Sequence, residues 1–438
     1  MPQEKIIHKK KTLRYSFADG VFASLMGGFV QNYFTPFLLA VGGTVGQAGI
    51  LGAIPNLFAS LTQLKSPAMV EKFSARKPIM DLFVPLQAVS LLFMAMLALL
   101  DRSGPLVFIS AVVLFTSFGA LAAPAWSSMM SEIVDKEKWG RYFGWRNQVL
   151  GIITIIAALT ASMVLHFTKK TCLFTGFSIL FGAAFIFRII SWRFLRLMEE
   201  PALKKAPPAE GPFPGKFSGS GAGNFSRFVF FAGAVNFSAG MAGPFFSVLM
   251  LKGLHFTYLT YIALSSTQAL ATYLSIKRWG RHADRLGNIK IISSTSKLIV
   301  FIPALWLVSR NPFYLIFVQM FSGFVWAGFN LSTSNFVFDA SSPAGRTRSI
   351  AHLNAASGMG LCLGALMGGL LIPLLPPLFG QKILSLFVIS SIIGLPVAFF
   401  VPFGLREVRW VQKISFIRLL SSVAGVTSLH GKQEPDSI

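Results

Sequence analysis

The chain has 438 residues, 53% of them hydrophobic and 13% charged, with a mean hydropathy of +0.64. A soluble domain carries roughly 25% charged residues, so a soluble globular fold is excluded. The formal net charge of +23 would suit a nucleic-acid partner, but the placement of the cations along the chain argues against one.

A helix needs about 20 mostly apolar residues to cross the ~30 Å hydrocarbon layer. Such spans are predicted at 16–41, 46–64, 79–100, 105–131, 143–167, 171–196, 225–251, 257–277, 288–309, 312–338, 347–373 and 382–404, twelve in all. The first follows MPQEKIIHKKKTLRYSF. Its apolar stretch is too long for a secretory signal and lacks a small-residue cleavage pattern, which predicts an uncleaved helix. Gln31, Asn32 and Tyr33 lie near the middle of this span, just before Pro36. The second span carries Asn56 and Gln63 and leads into PAMVEKFSARK (67–77). KWGRYFGWRN (138–147) opens the fifth span with Arg146 at its start, and Arg188 lies in the sixth. Cys172 and Cys362, the two cysteines, both fall inside predicted spans and are expected to pack there.

Residues 198–224 (MEEPALKKAPPAEGPFPGKFSGSGAGN) are rich in Pro, Gly, Ser and charge, the composition of a linker. They divide the chain into a bundle over 1–197 and a second over 225–404, with a tail over 405–438. In the second bundle the seventh span holds Asn236 and the eighth Thr267 and Gln268, followed by WGRHADRLGNIK (279–290). Lys297 sits in the ninth span, Trp326 and Asn330 in the tenth, and His352 and Asn354 in the eleventh. The eleventh also repeats glycine every four residues at Gly360, Gly364 and Gly368, a close-packing face. In the tail, WVQKISFIRLLSSV (410–423) has the pattern of a basic amphipathic helix lying on the membrane surface.

With the N-terminus cytoplasmic and the spans alternating, 33 of the 39 Lys and Arg fall on the cytoplasmic side. That asymmetry is the positive-inside rule. It accounts for the basic charge through topology, with both termini inside, no nucleic-acid partner, and the plasma (inner) membrane as the expected location. The two bundles also align internally. Pro36-Phe37 matches Pro244-Phe245, Gly140-Arg141 matches Gly345-Arg346, and Glu71-Lys72 matches Asp284-Arg285 at nearly one offset.

The segment from Gly280 to Lys290 resembles the G-x-x-x-D-R-x-G-[RK]-[RK] loop motif of the major facilitator superfamily, which follows helix 2 with a copy after helix 8. The Gly-Arg pairs opening helices 5 and 11 are similar to that superfamily as well. The first copy departs from the pattern: Pro67, Glu71, Lys72 and Ser74 replace its Gly, Asp, Arg and Gly, and in the second copy Asn288 replaces a cation. The resemblance implies an all-α polytopic fold of twelve transmembrane helices, arranged as two pseudo-symmetric six-helix bundles that rock about a central cavity. It implies gating roles for Glu71, Lys72, Arg141, Gly280, Asp284, Arg285, Gly287 and Arg346. Arg281 and Arg285 can hold a carboxylate in one conformation and release it in the other, biasing the equilibrium by about 1–3 kcal/mol.

Polar groups inside hydrocarbon are costly and are read as functional by default. The substrate-contact candidates are Gln31, Asn32, Tyr33, Asn56, Arg146, Asn236, Gln268, Trp326, Asn330 and Asn354, each weighed against a bundle-holding hydrogen bond. None of the sixteen acids is expected at the centre of a span. Asp19, toward the cytoplasmic end of the first, is the candidate through which protons or another coupling ion would act, against an interfacial partner for Arg14. Arg188 is expected to snorkel to the cytoplasmic side, and Glu132 is a candidate partner for Arg146. No phosphate loop, metal-spaced His/Cys cluster or intramembrane carboxylate pair occurs, so no cofactor, metal or enzymatic activity is expected. The leading expectation is a monomeric secondary or facilitative transporter of a small neutral or anionic organic solute. An exporter of amphipathic compounds or lipids is the alternative within transport. An integral membrane enzyme or a non-transporting sensor is the alternative of another class.

Overall fold

A computed structural model describes residues 2–63, 65, 69–70, 73, 75–100, 104–134, 139–168, 172–201, 220–340 and 346–407. The linker core and the 410–423 segment lie outside these described residues. The regular elements among them are helical and fall in the twelve predicted places. The first bundle comprises α1 (Pro2–Val30, resumed as Phe34–Ala40), α2 (Val45–Gln63), α3 (Lys77–Leu99), α4 (Pro105–Ile133), α5 (Trp139–Thr168) and α6 (Leu173–Leu197). The second comprises α7 (Ser220–Val248, ending in a π turn Leu249–Gly253), α8 (Tyr258–Leu286), α9 (Asn288–Ile299, resumed as Ile302–Leu305), α10 (Pro312–Ala340), α11 (Arg346–Leu371) and α12 (Lys382–Phe400). Nine of the described segments are long and apolar enough to cross a membrane on composition alone. Charged turns, as at the end of α8, and polar or small residues, as in α2, dilute the others.

Prolines shape the helices. Pro36 has no N–H to give the carbonyl four residues back and crowds it sterically, and α1 loosens there into a 3-10 turn over Gln31–Tyr33. Pro303 interrupts α9, which the sequence suggested as one continuous span, so its regular part ends at Ile299. The segment read as a charged loop, 279–290, is mostly the last two turns of α8. Gly287 alone makes the corner into α9, at φ 85° and ψ 157°, a region essentially reserved for glycine. Cys172, expected inside the sixth span, lies exposed just ahead of α6.

The first bundle packs around aromatic rings. Phe37 is fully buried, with the rings of Phe108, Phe177 and Phe181 at 4.6, 5.1 and 5.4 Å. The second bundle turns on the glycine seam of α11, which lies directly on the α7 backbone. A Cβ added at Gly364 would fall 2.1 Å from the Phe237 carbonyl oxygen. Between the bundles, α2 meets α11 and α7 through small residues, with Gly52 against the ring of Pro244, while α5 meets α8 at Gly151 and Tyr273. Two hydrogen bonds cross the same boundary at the end away from the chain termini. Lys252 Nζ donates to the Gly43 carbonyl (3.0 Å), and Tyr261 Oη donates to the Asn32 carbonyl (3.0 Å). That second acceptor is the carbonyl Pro36 leaves without its helical partner, so a break in α1 becomes a contact between bundles.

Candidate functional site

A cavity of about 450 Å³ opens in the second bundle, lined by Asn236 of α7, Ser265, Gln268, Ala269 and Thr272 of α8, Trp326 and Asn330 of α10, and Leu361 of α11. Ligand pockets are commonly ~300–1,000 Å³, mainly apolar, with a few placed polar groups. Helical spacing explains the lining. Ser265, Gln268, Ala269 and Thr272 stand at i, i+3, i+4 and i+7 on one face of α8, and Trp326 and Asn330 at i and i+4 on α10. No lining residue carries a formal charge.

Internal hydrogen bonds set what the cavity offers. Asn236 donates its amide N–H to the Ala232 carbonyl (2.8 Å), and Gln268 donates to Ser322 Oγ (3.1 Å). Thr272 donates within the α8–α10 contact, between the Gln268 and Gly323 carbonyls at 3.0 and 3.1 Å. The side-chain oxygens of Asn236 and Gln268 keep acceptor capacity. Trp326 and Leu361 supply apolar surface, and the Trp326 ring is braced edge-on by Phe329 at 5.7 Å. Four of the sequence candidates thus share one cavity. Ser265 and Thr272 went unnoticed, although the polar stripe they form with Gln268 was visible at helical spacing.

The remaining candidates lie elsewhere. Tyr33 is fully buried and its hydroxyl donates to the Ala158 carbonyl of α5, tying the broken α1 to its neighbour. Asn32 meets the second bundle through its backbone carbonyl. Gln31 is exposed, Asn56 donates to the Gly52 carbonyl of its own helix (2.9 Å), and Asn354 is exposed on α11. None of these five lines the cavity.

Arg146 and Arg188 do not stand where the sequence suggested. Arg146 is 7% exposed; it donates to the Ser16 carbonyl (3.1 Å) and stacks its guanidinium over Trp126 at 4.5 Å, whereas Glu132 is engaged with Arg76. Arg188 turns inward rather than snorkelling and donates to Ser191 Oγ (3.1 Å), which in turn donates to Asp19 (2.7 Å). Asp19 is 4% exposed and interacts electrostatically with both guanidiniums, so the interfacial pairing with Arg14 gives way to a buried cluster.

At the end of the bundles that carries the chain termini, each half has a carboxylate clamp. Arg76 reaches both oxygens of Glu132 at the end of α4 and is 3% exposed, and Glu200, just beyond α6, accepts the backbone N–H groups of Arg76 (2.6 Å) and Lys77 (3.1 Å). That carboxylate serves orphan donors at the positive start of α3. In the second half, Glu407 accepts the Ile289 N–H (2.8 Å) at the start of α9, and Asn288 donates to Asp339 of α10 (2.8 Å). Glu132 and Asp339 are 207 residues apart, as are Glu200 and Glu407, so the clamp is itself an internal repeat. Of the gating candidates, Glu71 and Lys72 lie outside the described residues, as do the side chains of Arg141 and Arg346, whose backbones begin α5 and α11. Gly280 lies within α8, Asp284 and Arg285 are exposed on its final turn, and Gly287 forms the corner.

The family model described as the Major Facilitator Superfamily matches residues 20–234 and again 228–416. Among solved structures, the fold is similar to that of the nucleoside transporter NupG, with a TM-score of 0.67 at 15% identity over 91% of this chain and 98% of that one. It is similar as well to a bacterial homologue of the human lysosomal transporter Spinster in an inward-facing, occupied conformation (TM-score 0.70, 12% identity, 93% and 99% covered). A third is an auto-inhibited peptide transporter of the POT family (TM-score 0.71, 12% identity, 92% and 99% covered). No curated protein sequence matches the chain. The helical architecture, the internal repeat and the two matched segments converge: this chain belongs to the Major Facilitator Superfamily.

Proposed function

We propose that this protein moves a small neutral organic solute across the membrane by alternating access, as a secondary or facilitative transporter. The observation that carries the proposal is the uncharged cavity among α7, α8, α10 and α11, lined by the amides of Asn236, Gln268 and Asn330 together with the Trp326 indole. Such a lining suits a solute with several hydroxyl or N–H donors and one apolar face. The neutral reading is favoured over the anionic one because Arg146 is stacked on Trp126 and held among α1, α4 and α5, away from the cavity. Lys252–Gly43 and Tyr261–Asn32 act as the closure at one end, and the α8–α9 corner with Asp284, Arg285 and Gly287 belongs to the gate at the other. We place the protein as a monomer in the plasma (inner) membrane, and the charge asymmetry supports the termini, the 198–224 linker and the 405–438 tail on the cytoplasmic side.

Ligand-stabilisation screening of the purified chain against sugars, nucleosides, amino acids and organic acids tests this. A stabilising neutral solute should lose at least tenfold in affinity with Gln268→Ala and with Trp326→Ala, since each removes a contact worth about 1.4 kcal/mol or more. Stabilisation by organic acids alone, indifferent to both substitutions, would refute it.

A further inference from the structure

The buried charges of the first bundle do not balance. Ser16 and Asp19 of α1, Trp126 of α4, Tyr142 and Arg146 of α5, and Arg188 and Ser191 of α6 form one connected group. It holds two guanidiniums and one carboxylate. Arginine does not lose its proton in proteins, so among the described residues the group carries one uncompensated positive charge. A buried charge left without a partner is strongly destabilising. The Ser16 carbonyl and the Trp126 ring face offset part of this, but neither is an anion.

The hydrogen bonding is incomplete in the same place. Among the described residues, Ser16 Oγ, Tyr142 Oη, Arg146 Nε and Arg188 Nε are buried without a hydrogen-bond partner. Two of the four, the guanidinium nitrogens, can only donate, and the two hydroxyls can donate as well. Orphaned buried groups of this kind call for an occupant. A water would satisfy some of the donors and leave the charge; a small anion answers both.

We propose that the first bundle carries a buried site for a small inorganic monovalent anion of chloride size, held by Arg146 and Arg188 with Tyr142 and Ser16 as donors. The site is separate from the uncharged cavity of the second bundle and stands or falls independently of the solute proposed there. Asp19 shares the guanidiniums with the anion, so carboxylate and anion compete for the same donors. An anion here ties α1, α4, α5 and α6 into one rigid body.

The test uses the purified full chain without solute, and its thermal unfolding is followed while chloride or bromide replaces gluconate at constant ionic strength. A saturable rise in unfolding temperature with either halide is expected. Arg146→Gln should abolish that rise, Asp19→Asn should lower the half-saturating halide concentration about tenfold, and Arg281→Gln, at an exposed cation of α8, should leave it unchanged. The signed response of Asp19→Asn separates a bound anion from general loss of packing. Bromide anomalous density between the two guanidiniums would locate the ion if Arg146→Gln fails to fold. An unfolding temperature that does not respond to halide, with no anomalous density, would overturn the proposal and leave water in the site. A halide response equal in the wild type and Arg146→Gln would also overturn it.

Discussion

Gly364→Ala probes how closely the solute cavity depends on the α7–α11 crossing. The added Cβ would meet the Phe237 carbonyl oxygen at 2.1 Å, the Met241 nitrogen at 2.9 Å and the Phe237 carbonyl carbon at 3.0 Å. Carbon–oxygen contacts in close helix crossings settle near ~3.3–3.6 Å, so the helices must part by about 1 Å. All three atoms belong to backbone, and no rotamer change relieves them. Gly360 and Gly368 lie on the same seam, where a Cβ would fall 2.2 Å from the Gly233 oxygen and 2.5 Å from the Met241 oxygen, so the displacement runs along the crossing. Overpacking of this kind costs about 1–3 kcal/mol, and replacing a helical glycine returns about 1 kcal/mol. Gly182→Ala on α6, with nothing within 4 Å of the new Cβ, receives that gain alone. The two variants should therefore differ by about 1–3 kcal/mol in unfolding free energy. Because α7 carries Asn236 and α11 carries Leu361, solute affinity should fall in Gly364→Ala and remain unchanged in Gly182→Ala. Equal unfolding temperatures for the two would refute the tight crossing.

Gly287→Ala should destabilise the second bundle by about 1–3 kcal/mol, because the backbone at φ 85° strains any residue with a Cβ; faster hydrogen exchange at the start of α9 reads this out. Glu132→Gln leaves the 3%-exposed Arg76 with a neutral partner and should cost about 1–3 kcal/mol, discounted because the Glu132 side chain is 31% exposed. Thermal unfolding measures that loss, and Arg76→Gln combined with Glu132→Gln should recover part of it. Tyr261→Phe removes the donor to the Asn32 carbonyl and should raise labelling of a cysteine introduced at Ala40, on the neighbouring closed end; unchanged labelling would mean that the hydrogen bond does not hold the end shut.

The twelve helices were legible because each is an apolar block bounded by charge or by Gly and Pro. The loop-motif resemblance placed the chain in its superfamily although its first copy had lost both glycines. What spacing cannot convey is which side chains meet. Gln31, Asn32 and Tyr33 were singled out by residue type, and spacing could not convey that their stretch is a 3-10 turn whose Asn32 carbonyl accepts from Tyr261 of the other bundle. Arg188 looked like a snorkelling cation because Asp19 and the intervening Ser191 are 172 residues apart in the chain. The carboxylate clamps were hidden for the same reason, since Glu200 reaches Arg76 across 124 residues and Glu407 reaches Ile289 across 118. Gln268, Trp326, Asn330 and Asn236 were singled out by residue type within spans. Their convergence on one cavity needed the packing of four helices.

Solute counterflow in liposomes containing the wild type, Gln268→Ala, Trp326→Ala and Gln31→Ala most directly tests a neutral-solute cavity in the second bundle. Flux of a neutral, donor-rich solute should persist in the wild type and Gln31→Ala and drop at least tenfold in the two cavity variants. Flux confined to organic anions, lost with Arg146→Gln and untouched by Gln268→Ala, would place the solute in the other bundle and contradict the assignment.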